Sequence, residues 1–545
     1  MKTKCLVFFF VLFLSAQIWA NSFTMYENIE DDRYPYESNT QVGGQKVRIP
    51  GFGFRKEYEV TADNKAMILN IGIVSLQKRI QMIQKAQTSL ELEYYIFQDD
   101  EAGKVLMTEL VAAAKRGVKV RVLIDVADTG RAYFKINEYY VKALRELLSK
   151  DNAEDNFEIR YYNDYSRLLH ISSSYFRNHR KLFVKDGVEA IVGGRNIGDD
   201  YFDLSEDFNF NDRDIWVKGT VVPVMLDTFN AFWNHKITMT RKLPSEPQKP
   251  SRANSLGKSG KTKLKYFSRG LKNYRNKITH AKNFFTENAK GKALKKEIKR
   301  ITGPELARLE STQIMDCPKT TFVSDRPGAN FLARIKRGYP SRFRKVRNAV
   351  EYRIKNSKTL VVSSPYFMKS KWAAKLFNDL LDDNEEINKD ISLFTNSLAS
   401  VDFPLVTAHF KKRIDRYLAA GYKIYVHSGN WLGEDGVPAI STKIRDARWG
   451  THAKTHIYDE DGFMIGTFNF DSRSAYYNTE LALFCDGNEI LTNIVKDSLL
   501  YRKDHLSDPP RGIKINDADD IHADAGFFKR LLMKIMRFVN LEKLF

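Results

Sequence analysis

The sequence predicts an α/β fold made of one domain used twice. Three observations predict it. The pattern H-x-K-x-x-x-x-D occurs at residues 179–186 and again at 452–459. Each copy leads into a turn of small residues and an Asn, through Gly193-Gly194-Arg195-Asn196 and Gly466-Thr467-Phe468-Asn469, and His to Asn is 17 residues in both. The same order of strands and helices surrounds both copies. One three-position pattern is weak, because it recurs by chance. Two copies with matched Asn residues at nearly constant offset are a duplication of a whole domain, too long for a solenoid repeat.

The bulk properties agree. A chain of 545 residues has room for two to four domains with sizeable cores. It is 43% hydrophobic and 12% aromatic, the composition of a folded globular protein. The net charge of +20 is concentrated in residues 241–300, which carry 19 Lys or Arg against 3 Glu. A partner argument from charge belongs to that segment alone. At the N-terminus, Lys2 and Lys4 precede an apolar run from Cys5 to Leu14 and small or polar residues ending at Ala20. This reads as a signal peptide and predicts an exported protein, periplasmic or secreted. The run is shorter than the roughly 20 apolar residues of a membrane span, with an uncleaved anchor as the alternative. Cys317 and Cys485 are compatible with one disulfide or with two buried thiols. No Cys/His cluster has zinc spacing.

In the first half, Ile71, Val74, Leu76, Ile80, Ile83 and Ala86 recur at helical spacing. Ser89-Leu-Glu-Leu-Glu-Tyr-Tyr-Ile-Phe97 alternates as a strand, and residues 99–103 read as a turn. A helix over 105–114 ends at Arg116-Gly117, and 118–125 reads as a buried strand. Strand, helix, strand on this scale is a βαβ unit of a mainly parallel sheet. In the second half, Thr359-Leu-Val-Val-Ser-Ser-Pro-Tyr-Phe367 repeats the first strand without a gap. A helix near 371–381 and a strand over 391–396 follow, and 157–162 has its counterpart in 422–426. Between the halves, residues 244–260 read as linker and the stretch to Lys299 as helices with basic faces. The last twenty residues place Phe528, Leu531, Leu532, Ile535 and Val539 on one helical face among Lys and Arg, a pattern that suits a core cover or a membrane surface.

On a strand, residues two apart share a face, so His179 and Lys181 would project together, as would His452 and Lys454. Asp186-Gly187 and Asp461-Gly462 then mark turns into a second strand that delivers Asn196 or Asn469 to the same rim. Two such halves, facing, present two imidazoles, two cations and two amides. That set suits a phosphodiester. One imidazole attacks phosphorus and the other protonates the leaving alcohol. The lysines and asparagines hold the nonbridging oxygens as charge builds. No metal or other cofactor is required. His456 lies on the same face but has Phe183 as its counterpart, and reads as a site wall or surface residue.

These residues resemble the phospholipase D superfamily, whose two-domain members carry the motif twice. The chain looks most like bacterial cardiolipin synthases of the C type. The supporting stretches are Gly193-Gly-Arg-Asn-Ile-Gly-Asp-Asp-Tyr-Phe202, Asp212-Arg-Asp214, Thr395-Asn-Ser-Leu-Ala-Ser-Val-Asp402, Gly466-Thr-Phe-Asn-Phe-Asp-Ser-Arg-Ser474 and Asn478-Thr-Glu480. The resemblance implies two phospholipase D-like α-β-α sandwich domains with pseudo-twofold symmetry. It implies phosphatidyl transfer or phosphodiester cleavage on glycerophospholipids through a phosphohistidine. His179 would be the nucleophile and His452 the general acid/base, with the reverse left open by the near symmetry. Glu480 matches the residue that orients a catalytic imidazole, and Asp212 takes that role in the first half, with Asp214 as alternate. Asn196 and Asn469 would bind phosphate. Asp186 and Asp459 complete the catalytic motif, where a structural turn role is preferred to a reacting one.

The division that follows is a leader or anchor over 1–20, a lead-in over 21–60, a first domain over 61–240, a basic linker or insert over 241–300, a second domain over 301–510 and an amphipathic tail over 511–545. The expected partner is a phospholipid at a membrane surface, with peripheral association. The basic insert reads either as a solvated segment or as a site for anionic lipid headgroups. A monomer is compatible with a site completed within one chain. A metal-independent nuclease of the same superfamily is the alternative, with Tyr266, Phe267 and Tyr274 among the lysines available to stack on bases, although nucleic acid is not the expected partner. A non-enzymatic scaffold is disfavoured by the intact His, Lys and Asn of both halves.

Overall fold

The computed structural model describes residues 39–42, 45–48, 59–61, 63–126, 136–163, 176–249, 258–328, 344–368, 370–382, 389–427, 429–431, 437–500 and 513–522. The expected leader, most of the lead-in and the amphipathic face within 526–545 lie outside them.

Two mixed sheets, each of nine strands among the described residues, form the body of the protein. The first runs Thr238–Met239, Phe157–Tyr162, Lys119–Asp125, Ser89–Tyr94, Leu182–Lys185, Glu189–Gly193, Asp214–Gly219, Asn64–Leu69, Met315–Asp316. The second runs Ile513–Ile515, Lys423–His427, Asp390–Asn396, Thr359–Ser363, Thr455–Tyr458, Gly462–Gly466, Leu481–Asp486, Lys319–Ser324, Glu59–Thr61. The two orders correspond strand for strand. In each, three neighbouring strands are parallel and the hairpin that follows the His motif adds antiparallel strands beside them. The duplication read from the sequence is therefore a duplicated α/β domain.

The sheets share a core. Val192, Ile215 and Val217 of the first pack in one buried cluster with Ile457, Ile465 and Leu483 of the second. A continuous apolar surface of this kind is the main stabilising term of a domain pair. The outer face of the first sheet is covered by helices Gly72–Lys85, Glu101–Lys115 and Glu138–Leu148. The second of these starts inside the stretch expected to be a turn. The Asp100 carboxylate accepts from the Gly103 amide at 3.0 Å, so a capping residue opens a helix there.

Two features depart from the expected division. Glu59–Thr61, in the expected lead-in, pairs with Lys319–Ser324 of the second sheet, and Met315–Asp316 pairs with Asn64–Leu69 of the first. Each half thus lends an edge strand to the other. Beside this crossing, Cys317 and Cys485 form a disulfide with a Cα–Cα separation of 5.5 Å.

The basic insert is helical beyond its linker stretch, in line with the helices expected up to Lys299. It forms helices Lys258–Phe285 and Ala289–Thr312. Ala281, Phe284, Phe285, Ile298, Ile301, Leu306 and Leu309 enter the core of the first half. Lys282 pairs with Glu146 at 2.9 Å, His280 with Asp99 at 2.6 Å, and Lys290 and Lys295 with Glu101 and Glu109. Part of the positive charge that suggested an external partner is therefore met within the chain.

Candidate active site

The His and Lys of each motif lie just before a strand, not on it. The strands begin at Leu182 and Thr455. The residues ahead of them form extended segments that reach across to the other half. Asn178 bridges to Thr479, and the His179 amide donates to the Thr479 carbonyl at 3.0 Å. In the mirror position, Arg448–Thr451 pairs with Phe208–Asn211, and the His452 amide donates to the Asn211 carbonyl at 2.9 Å. This register fixes what comes next. Beside His179 stands the residue after Thr479, which is Glu480. Beside His452 stands the residue after Asn211, which is Asp212.

Each half therefore orients the other half's histidine. His179 Nδ1 lies 2.9 Å from Glu480 Oε2, and His452 Nδ1 lies 2.6 Å from Asp212 Oδ2. A carboxylate on Nδ1 fixes the tautomer that leaves the Nε2 lone pair free. The two carboxylates fit through different local devices. A Cβ on Gly194 would fall 2.1 Å from Asp212 Oδ1, so only glycine lets Asp212 approach. At the corresponding position Thr467 donates its hydroxyl to Glu480, which also accepts from Ser474 Oγ at 2.7 Å. Gly194, Thr467 and Ser474 were not singled out for this role from sequence; their place beside the matched Asn residues was the available signal.

The lysines close the cluster. Lys181 Nζ donates to the His179 carbonyl at 2.7 Å, and Lys454 Nζ lies 2.9 Å from His452 Nε2. Burial holds His179 well below the usual imidazole range, with Lys181, Lys454 and Arg473 adding to the effect. Burial and Lys454 take His452 down to about 3, with Lys181 contributing. Both lysines act on both rings, so the two motifs form one electrostatic unit. Burial also lowers Lys181 strongly and Lys454 to about 8. The carboxylates diverge. Burial raises Glu480 to about 7, whereas Asp212, which burial would also push up, is held at about 2 by Lys454, His452 and Arg195. At neutral pH one imidazole faces a firmly ionised carboxylate and the other a carboxyl near its midpoint.

Asn196 and Asn469 follow the second hairpin strands, as expected. Asn196 Oδ1 accepts from the Ile96 amide at 3.2 Å, which turns its amide NH2 away from that contact. Among the described residues Asn469 Oδ1 is buried without a protein partner. Asp214, the alternate orienting residue, is instead buried between Arg79 at 3.0 Å and Arg195 at 3.3 Å.

Three sequence expectations need placing. Asp186 does not reach the cluster. It sits in the left-handed turn after Leu182–Lys185 (φ 53°), and its Oδ1 accepts from the Thr88 and Ser89 amides at 2.7 and 3.0 Å. Asp459 repeats this with the Lys358 and Thr359 amides at 2.8 and 3.0 Å. Both clamp the start of the neighbouring parallel strand. His456 is neither wall nor surface: it is fully buried, its Nδ1 is 2.9 Å from the Tyr458 hydroxyl, and its ring lies against Phe470. It falls inside Thr455–Tyr458 while His452 and Lys454 precede that strand, so the two-residue periodicity does not carry through.

Comparison with known proteins identifies the family. The family model described as a cardiolipin synthase, PLD-like domain matches residues 79–233 and 351–497. The chain belongs to that family. It is 28% identical over 433 residues to cardiolipin synthase C of Escherichia coli, covering 76% of this chain and 80% of that protein. An uncharacterized protein of Helicobacter pylori is 28% identical over 452 residues, covering 81% and 79%. The crystal structure of a phosphatidylserine synthase from Haemophilus influenzae shares the fold at a TM-score of 0.56, with 13% identity over 88% of this chain and 94% of that one. One expectation is overturned. A relative that covers 76% of this chain is named cardiolipin synthase C and gives no indication of export, so the reading of an exported, peripherally associated protein is withdrawn. Among the described residues no helix is long and apolar enough to cross a membrane.

Proposed function

We propose that this chain transfers phosphatidyl groups on glycerophospholipids through a covalent His179 intermediate. The observation that carries the proposal is the crossed pairing of His179 with Glu480 and His452 with Asp212 around two buried lysines. His179 Nε2, neutral at working pH, attacks phosphorus while the bond to the leaving alcohol breaks. His452 gives that alcohol its proton. The acceptor hydroxyl then attacks phosphorus, the N–P bond breaks, and His452 takes the hydroxyl proton. His452 suits this role because the ionised Asp212 stabilises an imidazolium. Burial and then Lys454 and Lys181 keep His452 unprotonated, and a phosphodiester anion held between the two lysines offsets their part of that effect. Asn196 and Asn469 direct their amides to the nonbridging oxygens, and Asp186 and Asp459 act through strand placement alone.

The relatives named cardiolipin synthases support a phospholipid substrate and an alcohol acceptor, with phosphatidylglycerol the first acceptor to try. The nuclease alternative is disfavoured, because the insert that suggested it is partly neutralised against the first half. Purified protein incubated with phosphatidylglycerol or phosphatidylethanolamine, with products identified by mass spectrometry, tests the reading. Turnover lost by orders of magnitude in both His179→Ala and His452→Ala supports it. Folded wild-type protein without lipid turnover, or activity retained in both variants, contradicts it.

A further inference from the structure

The two ends of the cluster differ chemically. At the His179 end, Tyr95 lies 5.1 Å away centroid to centroid and is hydrogen-bonded to Arg473, with Lys181 over its ring at 5.4 Å. Arg473 and Lys181 thus flank that end. At the His452 end the wall is Phe210 at 4.9 Å, Tyr201 at 5.3 Å and Tyr366 at 6.4 Å. Tyr366 donates its hydroxyl to Asp402 Oδ2 at 2.8 Å in a solvent-accessible hydrogen bond. Asp402 opens to solvent, yet enough protein surrounds its carboxyl to raise its pKa, while the Tyr366 hydrogen bond and, less strongly, Lys454 pull the other way. The duplication does not explain this pair: Asp402 stands six residues after the strand Asp390–Asn396, and the sixth residue after the corresponding strand Lys119–Asp125 is Arg131.

A carboxylate joined through Tyr366 to the wall of the His452 end is a poor neighbour for a phosphate and a good acceptor for a hydroxyl. We infer that Tyr366 and Asp402 are specificity-determining residues for an acceptor that is a vicinal diol. His452 takes the proton of the hydroxyl that attacks phosphorus, and Asp402 accepts a hydrogen bond from the adjacent hydroxyl. Tyr366 fixes the carboxylate. No group is consumed: the N–P bond breaks, the O–P bond forms, and the proton passes to His452. This assignment rests on His452 being the acid/base. A site that binds a substrate hydroxyl discriminates against the analogue lacking it, because a buried or crowded acceptor is then left unpaired.

The test uses the full chain, dioctanoyl phosphatidyl-p-nitrophenol as donor, and propylene glycol or n-propanol as acceptor. Released nitrophenol reports cleavage, and mass spectrometry reports the phosphatidyl products. The wild type is expected to favour the diol by about tenfold or more in kcat/KM. Asp402→Asn is expected to bring that ratio close to unity, and Tyr366→Phe, which removes one oxygen only, to lower it in the same direction. A wild type that transfers to n-propanol without preferring the diol overturns the inference and leaves the transferase reading standing. So does a preference kept in both variants, whereas cleavage with transfer to neither alcohol contradicts the transferase reading and the inference with it. No nitrophenol release by folded protein contradicts the transferase reading, and the inference with it.

Discussion

Asp212→Asn separates the crossed site from a merely adjacent pair of motifs. The substitution is nearly isosteric and lies in the first half, yet its effect should appear on the second half's histidine. Asp212 Oδ2 is 2.6 Å from His452 Nδ1, in a site where both groups are buried. A charge-assisted hydrogen bond in such a place contributes about 1.5–3 kcal/mol. That predicts a fall in kcat/KM of at least about 10-fold, and a far larger one if the amide turns the ring to the wrong tautomer. The pH profile gives a second reading. Asp212 is the largest influence that raises Lys454, which burial has lowered to about 8. Without that negative charge Lys454 loses its proton at lower pH, so the alkaline limb of kcat/KM moves below about 8. The assay is phosphatidyl transfer from phosphatidylglycerol across pH, read by mass spectrometry, because an alkyl leaving group needs the proton that His452 supplies. A loss under threefold with an unmoved alkaline limb would refute the crossed assignment.

Three further outcomes follow from the same geometry. Glu480, raised to about 7 by burial, must ionise to stabilise the His179 intermediate, so wild-type kcat/KM should rise through about pH 7 and Glu480→Gln should lose that limb; a limb unchanged in the variant counts against the role. The Asp186 carboxyl is held below its usual range by backbone amides of residues 87–89, so its contribution is present above the unfolded carboxylate pKa and disappears as pH falls through the lower folded value; Asp186→Ala should cost about 1–2 kcal/mol in urea unfolding at neutral pH, with kcat kept within a few fold. Reducing the Cys317–Cys485 disulfide should lower thermal stability by about 2–4 kcal/mol, and an unchanged midpoint would show that the bond adds nothing to the crossing of the edge strands.

Much of the site was legible in the sequence because the duplication made it so. Matched spacing singled out His179, Lys181, Asn196 and their partners, and the family resemblance pointed to Asp212 and Glu480. The crossing was not legible. Asp212 and His452 are 240 residues apart, and nothing local states that their segments pair. The Gly194 contact is a fact of close approach, invisible until Asp212 is placed against it. The insert misled for a different reason: its lysines read as a solvated or lipid-facing surface, while the residues that anchor it, such as Phe284 and Ile298, are spaced thinly among them. His456 misled because alternation was extended across the point where the strand begins.

Trapping the covalent intermediate tests the central claim most directly. His452→Ala can form the phosphohistidine but lacks the base that speeds its breakdown. Rapid mixing with dioctanoyl phosphatidyl-p-nitrophenol, quenching in alkali and peptide mass spectrometry should find a phosphatidyl adduct on His179. An adduct on His452 in His179→Ala, with none on His179 in His452→Ala, would reverse the roles. No adduct in either variant, with turnover intact in the wild type, would contradict covalent catalysis by this pair.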